Sequence, residues 1–124
     1  MTSLVLAVAV GGALGATARW AVARGVAGLY DSALPLGTIA VNVFGAFAFG
    51  FLWAYLESRP HLQLRTFLFT GFLGGFTTFS TLAFESVVLI QSGRAQLALV
   101  DLLLQNVIGV LAVFGGLWLG RLLA

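Results

Sequence analysis

Four long apolar stretches, separated by short polar connectors, dominate the pattern of hydrophobic and polar positions along the chain. A helix needs about 20 predominantly apolar residues to cross the hydrocarbon core of a bilayer, and each stretch has about that length. Backbone groups in lipid must be hydrogen-bonded internally, which favours helices, and the alternation of a barrel strand is absent. The sequence therefore predicts four transmembrane helices, at residues 4–22, 36–56, 64–90 and 97–122.

The composition argues against a water-soluble domain. Of the 124 residues, 60% are hydrophobic and 8% are charged, whereas soluble domains carry about 25% charged residues. A small globule in water cannot bury so much apolar surface. We therefore expect residues 1–124 to form a single domain of the all-α membrane class, multi-pass in the cell (inner or plasma) membrane.

Several chemistries are excluded by what the chain lacks. The net charge of +2 is the balance of six arginines and four acidic residues, and the arginines form no cluster, which argues against a nucleic-acid partner. There is no cysteine, and His61 is the only histidine, so neither a disulfide nor a multi-histidine metal site is possible. No nucleophile, base and orienting group can be assembled, so an enzyme is not expected.

The arginines divide almost evenly between the two sides of the membrane. One side holds Arg59, Arg65 and Arg121, and the other holds Arg24 and Arg94, with Arg19 near a helix end. An excess of positive charge normally fixes the orientation of a membrane protein. A chain without that excess can insert both ways and pair with its own inverted copy, although so few arginines can also balance by chance.

The third apolar stretch has an unusual centre, because three glycines and four hydroxyl residues lie between Gly71 and Thr81. Glycine weakens a helix and β-branched threonine does not restore it, so a local break is predicted, with flexible packing as the alternative. Backbone freed in a membrane must be buried in protein or face water. Freed carbonyls suit a hard cation, and the N-terminus of a half-helix suits an anion.

Polar side chains within the other apolar stretches are further candidates, because each is costly in a bilayer. Asn42 offers two N–H donors that suit an anion, and an interhelical hydrogen bond is an equally good interpretation. Thr38 lies one turn earlier on the same face. Thr81 and Glu85 share a face of the third helix, so Glu85 should line a cavity or hold a polar partner.

Glycine-rich motifs occur in each of the first three helices. They are Gly11-Gly12-Ala13-Leu14-Gly15-Ala16 followed by Arg19-Trp20, Gly37-Thr38-Ile39-Ala40-Val41-Asn42 with Gly45 and Gly50, and Gly71 to Thr81 with Glu85. In this order they resemble the motifs of the Fluc/CrcB family of fluoride channels. The resemblance implies a fluoride-selective channel that exports fluoride passively, lowers cytoplasmic fluoride and thereby gives fluoride resistance.

The resemblance also implies an assembly and a set of site residues. The assembly is an antiparallel, dual-topology homodimer with a structural, untransported Na⁺ at its centre, bound by the carbonyls of Gly74 and Thr77. The implied fluoride path is lined by Arg19, Thr38, Asn42, Phe79, Ser80, Thr81, Leu82 and Glu85. In it Asn42 would hydrogen-bond fluoride, the Phe79 ring edge would attract it, and Arg19 would draw anions to a pore mouth.

Two positions depart from the family pattern. Leu82 stands where a second phenylalanine is common, so one ring edge is missing. The fourth helix carries Gln105 and Asn106 as its only central polar residues, where hydroxyl or tyrosine groups are usual.

Two other functions fit four helices. A small multidrug-type exporter would need an acidic residue in the first helix, and this first helix has none. A non-transporting scaffold would not need a break beside Asn42.

Overall fold

The computed structural model describes all 124 residues and contains four long helices joined by short connectors. They are α1 (Thr2–Leu29), α2 (Leu36–Tyr55), α3 (Leu62–Gln91) and α4 (Ala95–Leu123), each long and apolar enough to cross a membrane. The predicted all-helical architecture with four membrane spans is confirmed.

The predicted end of α1 at residue 22 is wrong, because the helix continues to Leu29. Arg24 therefore lies within the helix and not in the connector between α1 and α2. The guanidinium of Arg24 lies 5.6 Å from the ring centroid of Trp20, one turn earlier on the same helix. A cation over an aromatic face is stabilised within the helix, so the charge does not end it.

Helix α3 is bent where the sequence predicted a break. Thr77 (φ −81°, ψ 155°) and Thr78 (φ −149°, ψ 116°) are extended between the first half of α3, residues 62–76, and the second half, Phe79–Gln91. The first half already departs from α-helical geometry, with wider, underwound π-helical turns at Thr66–Leu73. The Thr78 hydroxyl caps the second half by accepting a hydrogen bond from the N–H of Thr81 at 3.3 Å.

Glycines set the close packing of the helices in two pairs. A Cβ on Gly15 of α1 would lie 2.9 Å from the carbonyl carbon of Phe72 and 3.0 Å from the nitrogen of Phe76, both in α3. On α4, a Cβ on Gly116 would lie 2.7 Å from the backbone nitrogen of Phe51 in α2. Only glycine allows backbones so close, so α1 packs on the first half of α3 and α2 packs on α4.

The chain buries little of itself. Between 17% and 28% of the residues in the most apolar window of each span are buried. Large apolar side chains cover the outside of every helix, as expected where the surroundings are lipid or another membrane-embedded subunit.

Candidate functional site

The side chain of Asn42 closes the bend in α3. Its Oδ1 accepts a hydrogen bond from the N–H of Thr78 at 2.8 Å, and its Nδ2 donates to the carbonyl of the same residue at 3.0 Å. Exchanging the amide oxygen and nitrogen would place donor against donor and acceptor against acceptor, so the two bonds to Thr78 fix the orientation of the amide. Asn42 thus supplies the partners that Thr78 loses on leaving the helix, which is the interhelical bond foreseen as one interpretation.

A chain of amides continues from Asn42 into α4. Nδ2 of Asn42 donates its second hydrogen to Oε1 of Gln105 at 2.7 Å, and Nε2 of Gln105 donates to Oδ1 of Asp101 at 2.8 Å. Gln105 is 6% exposed and Asp101 is fully buried. Asp101 was missed as a site residue in the sequence; its spacing of one helical turn from Gln105 was the available signal.

Glu85 has the polar partner that its position required. The hydroxyl of Thr38 donates to its Oε1 at 2.8 Å. Both residues line an open cavity of about 620 Å³ beside the connector between α1 and α2. Oε2 of Glu85 and Oδ2 of Asp101 are the buried side-chain atoms without a hydrogen-bond partner.

A second cavity, of about 400 Å³, is basic and is lined partly by hydroxyl residues. Its walls include the guanidinium residues Arg19 and Arg24 together with Thr38, Thr78 and Thr81. The Nε of Arg19 donates to the carbonyl of Gly75 at 3.0 Å, which ties α1 to the bend in α3. Two guanidinium groups beside hydroxyls give this cavity, called the arginine cavity below, a positive potential that favours anions.

A third cavity, of about 350 Å³, lies on the other side of the bend. Its lining includes Asn42, Thr78, Phe79, Leu82 and Gln105. Phe79 is 79% exposed at its rim, whereas Leu82 is 5% exposed. Because Thr78 lines both this phenylalanine cavity and the arginine cavity, the bend and the Asn42 amide are the partition between them.

The predicted path residues are therefore divided between these spaces. Arg19, Thr38 and Thr81 border the arginine cavity, while Asn42, Phe79 and Leu82 border the phenylalanine cavity. Ser80 lies in neither; it is exposed, and its Oγ is 3.5 Å from Oγ1 of Thr78. Thr78, at the partition, was not predicted as a site residue, because the sequence did not show which threonine occupies the bend.

The bend takes the usual helical donors away from several carbonyl groups, among them those of Gly74 and Thr77. The usual donor to the Gly74 carbonyl is the N–H of Thr78, which is bonded to Asn42. The usual donor to the Thr77 carbonyl is the N–H of Thr81, which is bonded to the Thr78 hydroxyl. Carbonyl oxygens are hard ligands, so these two suit an alkali cation.

Four apolar spans with open cavities lined partly by polar side chains indicate a multi-pass membrane protein of the channel or transporter class. Residues 6–117 match the family described as "CrcB-like protein, Camphor Resistance (CrcB)". The chain belongs to this CrcB family. The family is one of ion channels, so the prediction that the chain is not an enzyme is confirmed.

Similar proteins from several bacteria carry the name "Fluoride-specific ion channel FluC". The protein of Desulforapulum autotrophicum is 44% identical, with 94% of both chains covered. That of Paracoccus denitrificans is 44% identical over 98% of this chain and 97% of the relative. That of Parabacteroides distasonis is 40% identical over 90% of this chain and 88% of the relative.

Proposed function

We propose that this chain forms a fluoride-selective channel that lets fluoride leave the cell passively through the inner or plasma membrane. The name shared by its relatives supports the ion, since the alignments cover nearly the whole of each chain. The observation that carries the mechanism is the polar partition at Asn42 and Thr78 between the arginine cavity and the phenylalanine cavity.

The path follows from the chemistry of the two cavities. Arg19 draws the anion into the arginine cavity, where its charge stabilises fluoride that has lost water. The hydroxyl of Thr81 then offers a hydrogen, because its Oγ1 already accepts from Thr78 at 3.0 Å and leaves its own proton free. Beyond the partition, the electropositive ring edge of Phe79 attracts the ion. Leu82 contributes only apolar bulk to that wall.

Three further residues have supporting places on the path. Thr38 and Glu85 border the open cavity beside the connector, and Thr38 also borders the arginine cavity, so this cavity lies on the side where the ion still carries water. The Thr38 hydroxyl is engaged by Glu85, so Thr38 steers the carboxylate instead of binding the ion. Ser80 is exposed on the surface of the chain, where a second copy would enclose it in the path.

An antiparallel homodimer is proposed on two grounds. The half-buried bend at Thr78 and the exposed Phe79 beside it lie within a membrane span, where irregular backbone is tolerated only away from lipid, and a second copy would cover it. The even distribution of arginines lets a second copy insert upside down and supply that cover. At the centre of such a dimer, the freed carbonyls of Gly74 and Thr77 would hold a structural Na⁺, whose charge would offset their partial negative charges.

Purified protein in liposomes tests the function. Vesicles loaded with both fluoride and chloride, and made permeable to a counter-ion, should release fluoride to an ion-selective electrode and retain chloride. Equal release of the two anions would reject selectivity. Proton-coupled drug transport without fluoride flux would instead support the multidrug-type exporter.

A further inference from the structure

The Asn42 amide has no free hydrogen with which to meet an ion. One hydrogen of Nδ2 is donated to the Thr78 carbonyl and the other to Oε1 of Gln105. Fluoride must therefore displace one of these acceptors. The Thr78 bond is half of a two-bond pairing that closes the bend, so breaking it would leave backbone unsatisfied. The Gln105 bond is a single side-chain contact at the wall of the phenylalanine cavity, and it is the exchangeable one.

We propose that Gln105 is a resident acceptor that fluoride displaces from Asn42, an inference that rests on the proposed function. A buried N–H without a partner is costly, so an empty site with a bare donor would bind fluoride tightly and release it slowly. An ion pathway requires binding that is strong enough for entry and weak enough for exit. With Gln105 in place, the binding free energy of fluoride includes only the difference between its own hydrogen bond to Asn42 and the one that Gln105 gives up.

Asp101 positions this competitor. Its Oδ1 accepts from Nε2 of Gln105 at 2.8 Å, one helical turn earlier on α4. A carboxylate only accepts, so it selects the amide nitrogen of Gln105 and turns Oε1 toward Asn42. Asp101 is fully buried, so water cannot take its place. Asp101 is therefore a positioning residue that acts on the ion through Gln105.

Saturation of fluoride flux distinguishes this role from simple support. Gln105→Met keeps an unbranched side chain and removes the acceptor. We expect the half-saturating fluoride concentration to fall about threefold, the factor that corresponds to a typical membrane hydrogen bond, and the maximal flux to fall similarly. Asp101→Leu should shift both quantities in the same direction, and Asp101→Asn, which retains an acceptor oxygen, should shift them less. Leu103→Met, at a 55% exposed position on α4, is the matched control and should behave like the parent.

The outcomes separate the two proposals. A Gln105→Met protein whose maximal flux falls while its half-saturating concentration stays or rises would give Gln105 a structural role and overturn the inference. In ¹⁵N-labelled parent protein, the side-chain amide signals of Asn42 and Gln105 should shift with one common fluoride midpoint; a stationary Gln105 signal would also overturn it. A parent without fluoride flux would refute the proposed function and this inference with it.

Discussion

Asn42→Asp is the sharpest perturbation of the partition, because it changes one nitrogen to oxygen without changing the shape of the side chain. The retained Oδ1 still accepts from the N–H of Thr78. The new oxygen takes the place of a donor and lies 3.0 Å from the Thr78 carbonyl and 2.7 Å from Oε1 of Gln105. Two hydrogen bonds thus become two contacts between acceptors.

The cost follows from these two contacts. Each buried polar group left without its partner costs about 1–3 kcal/mol, so the two together destabilise the fold by about 2–6 kcal/mol. Gln105 can rotate its amide and donate to the new carboxylate, but its oxygen then faces Oδ1 of Asp101. Adding Asp101→Asn removes that second conflict, since the asparagine amide can donate to the rotated Gln105. The double variant should recover about 1–3 kcal/mol.

Stability and flux are measured separately. The fraction of protein that stays folded on heating in detergent should fall for Asn42→Asp and partly recover for the double variant. Fluoride efflux from liposomes should be abolished in both, because the donors at position 42 are gone and a negative charge repels the ion. Asp101→Asn alone is the control for the second substitution. A double variant no more stable than Asn42→Asp would refute the hydrogen-bond chain through Gln105, and fluoride flux in either variant would remove Asn42 from the path.

Three further predictions concern the pore wall, the topology and the packing. Leu82→Phe should raise fluoride flux by at most about tenfold without changing selectivity, since its ring can enter the phenylalanine cavity, and Phe79→Leu should reduce flux sharply; equal flux in both and the parent would mean that only apolar bulk matters there. Ser58→Cys, in a chain without cysteine, should be labelled by an impermeant reagent at about half of the sites from each side, and labelling from one side alone would exclude dual topology. Gly15→Ala should destabilise the protein by about 1–3 kcal/mol, because its Cβ would lie 2.9 Å from a backbone carbonyl carbon of α3; Gly12→Ala, with a nearest contact of 3.9 Å, should unfold like the parent.

Local composition was sufficient to predict the spans and the position of the bend. The apolar lengths predict four helices, and the run of glycine and threonine predicts weakness at the centre of α3. The end of α1 was misjudged because the contact of Arg24 with Trp20 depends on side-chain geometry within the helix. Residue periodicity alone could not predict that contact.

The partners within the site required the packing of three helices. Asn42 and Glu85 were recognisable as polar groups in apolar stretches, but their partners Thr78 and Thr38 lie on other helices. Asp101 resembled an ordinary charge near the start of a span, and only its complete burial and its bond to Gln105 connect it to Asn42. Sequence separation hides such contacts, so the hydrogen-bond chain became evident only in the folded protein.

The bend in α3 has different partial charges on its two sides, which bears on both the proposed fluoride path and the proposed Na⁺ site. The N–H groups of Thr77 and Thr78 are both bonded, to the Leu73 carbonyl and to Asn42, so the groups left free on the first half of α3 are carbonyls. That side carries partial negative charge and would repel fluoride, which suits the proposed cation. The second half begins at Phe79, and the N-terminus of a helix carries partial positive charge. This charge distribution supports the proposal that the anion passes the Phe79 side of the bend and that the cation lies on the Gly74 side.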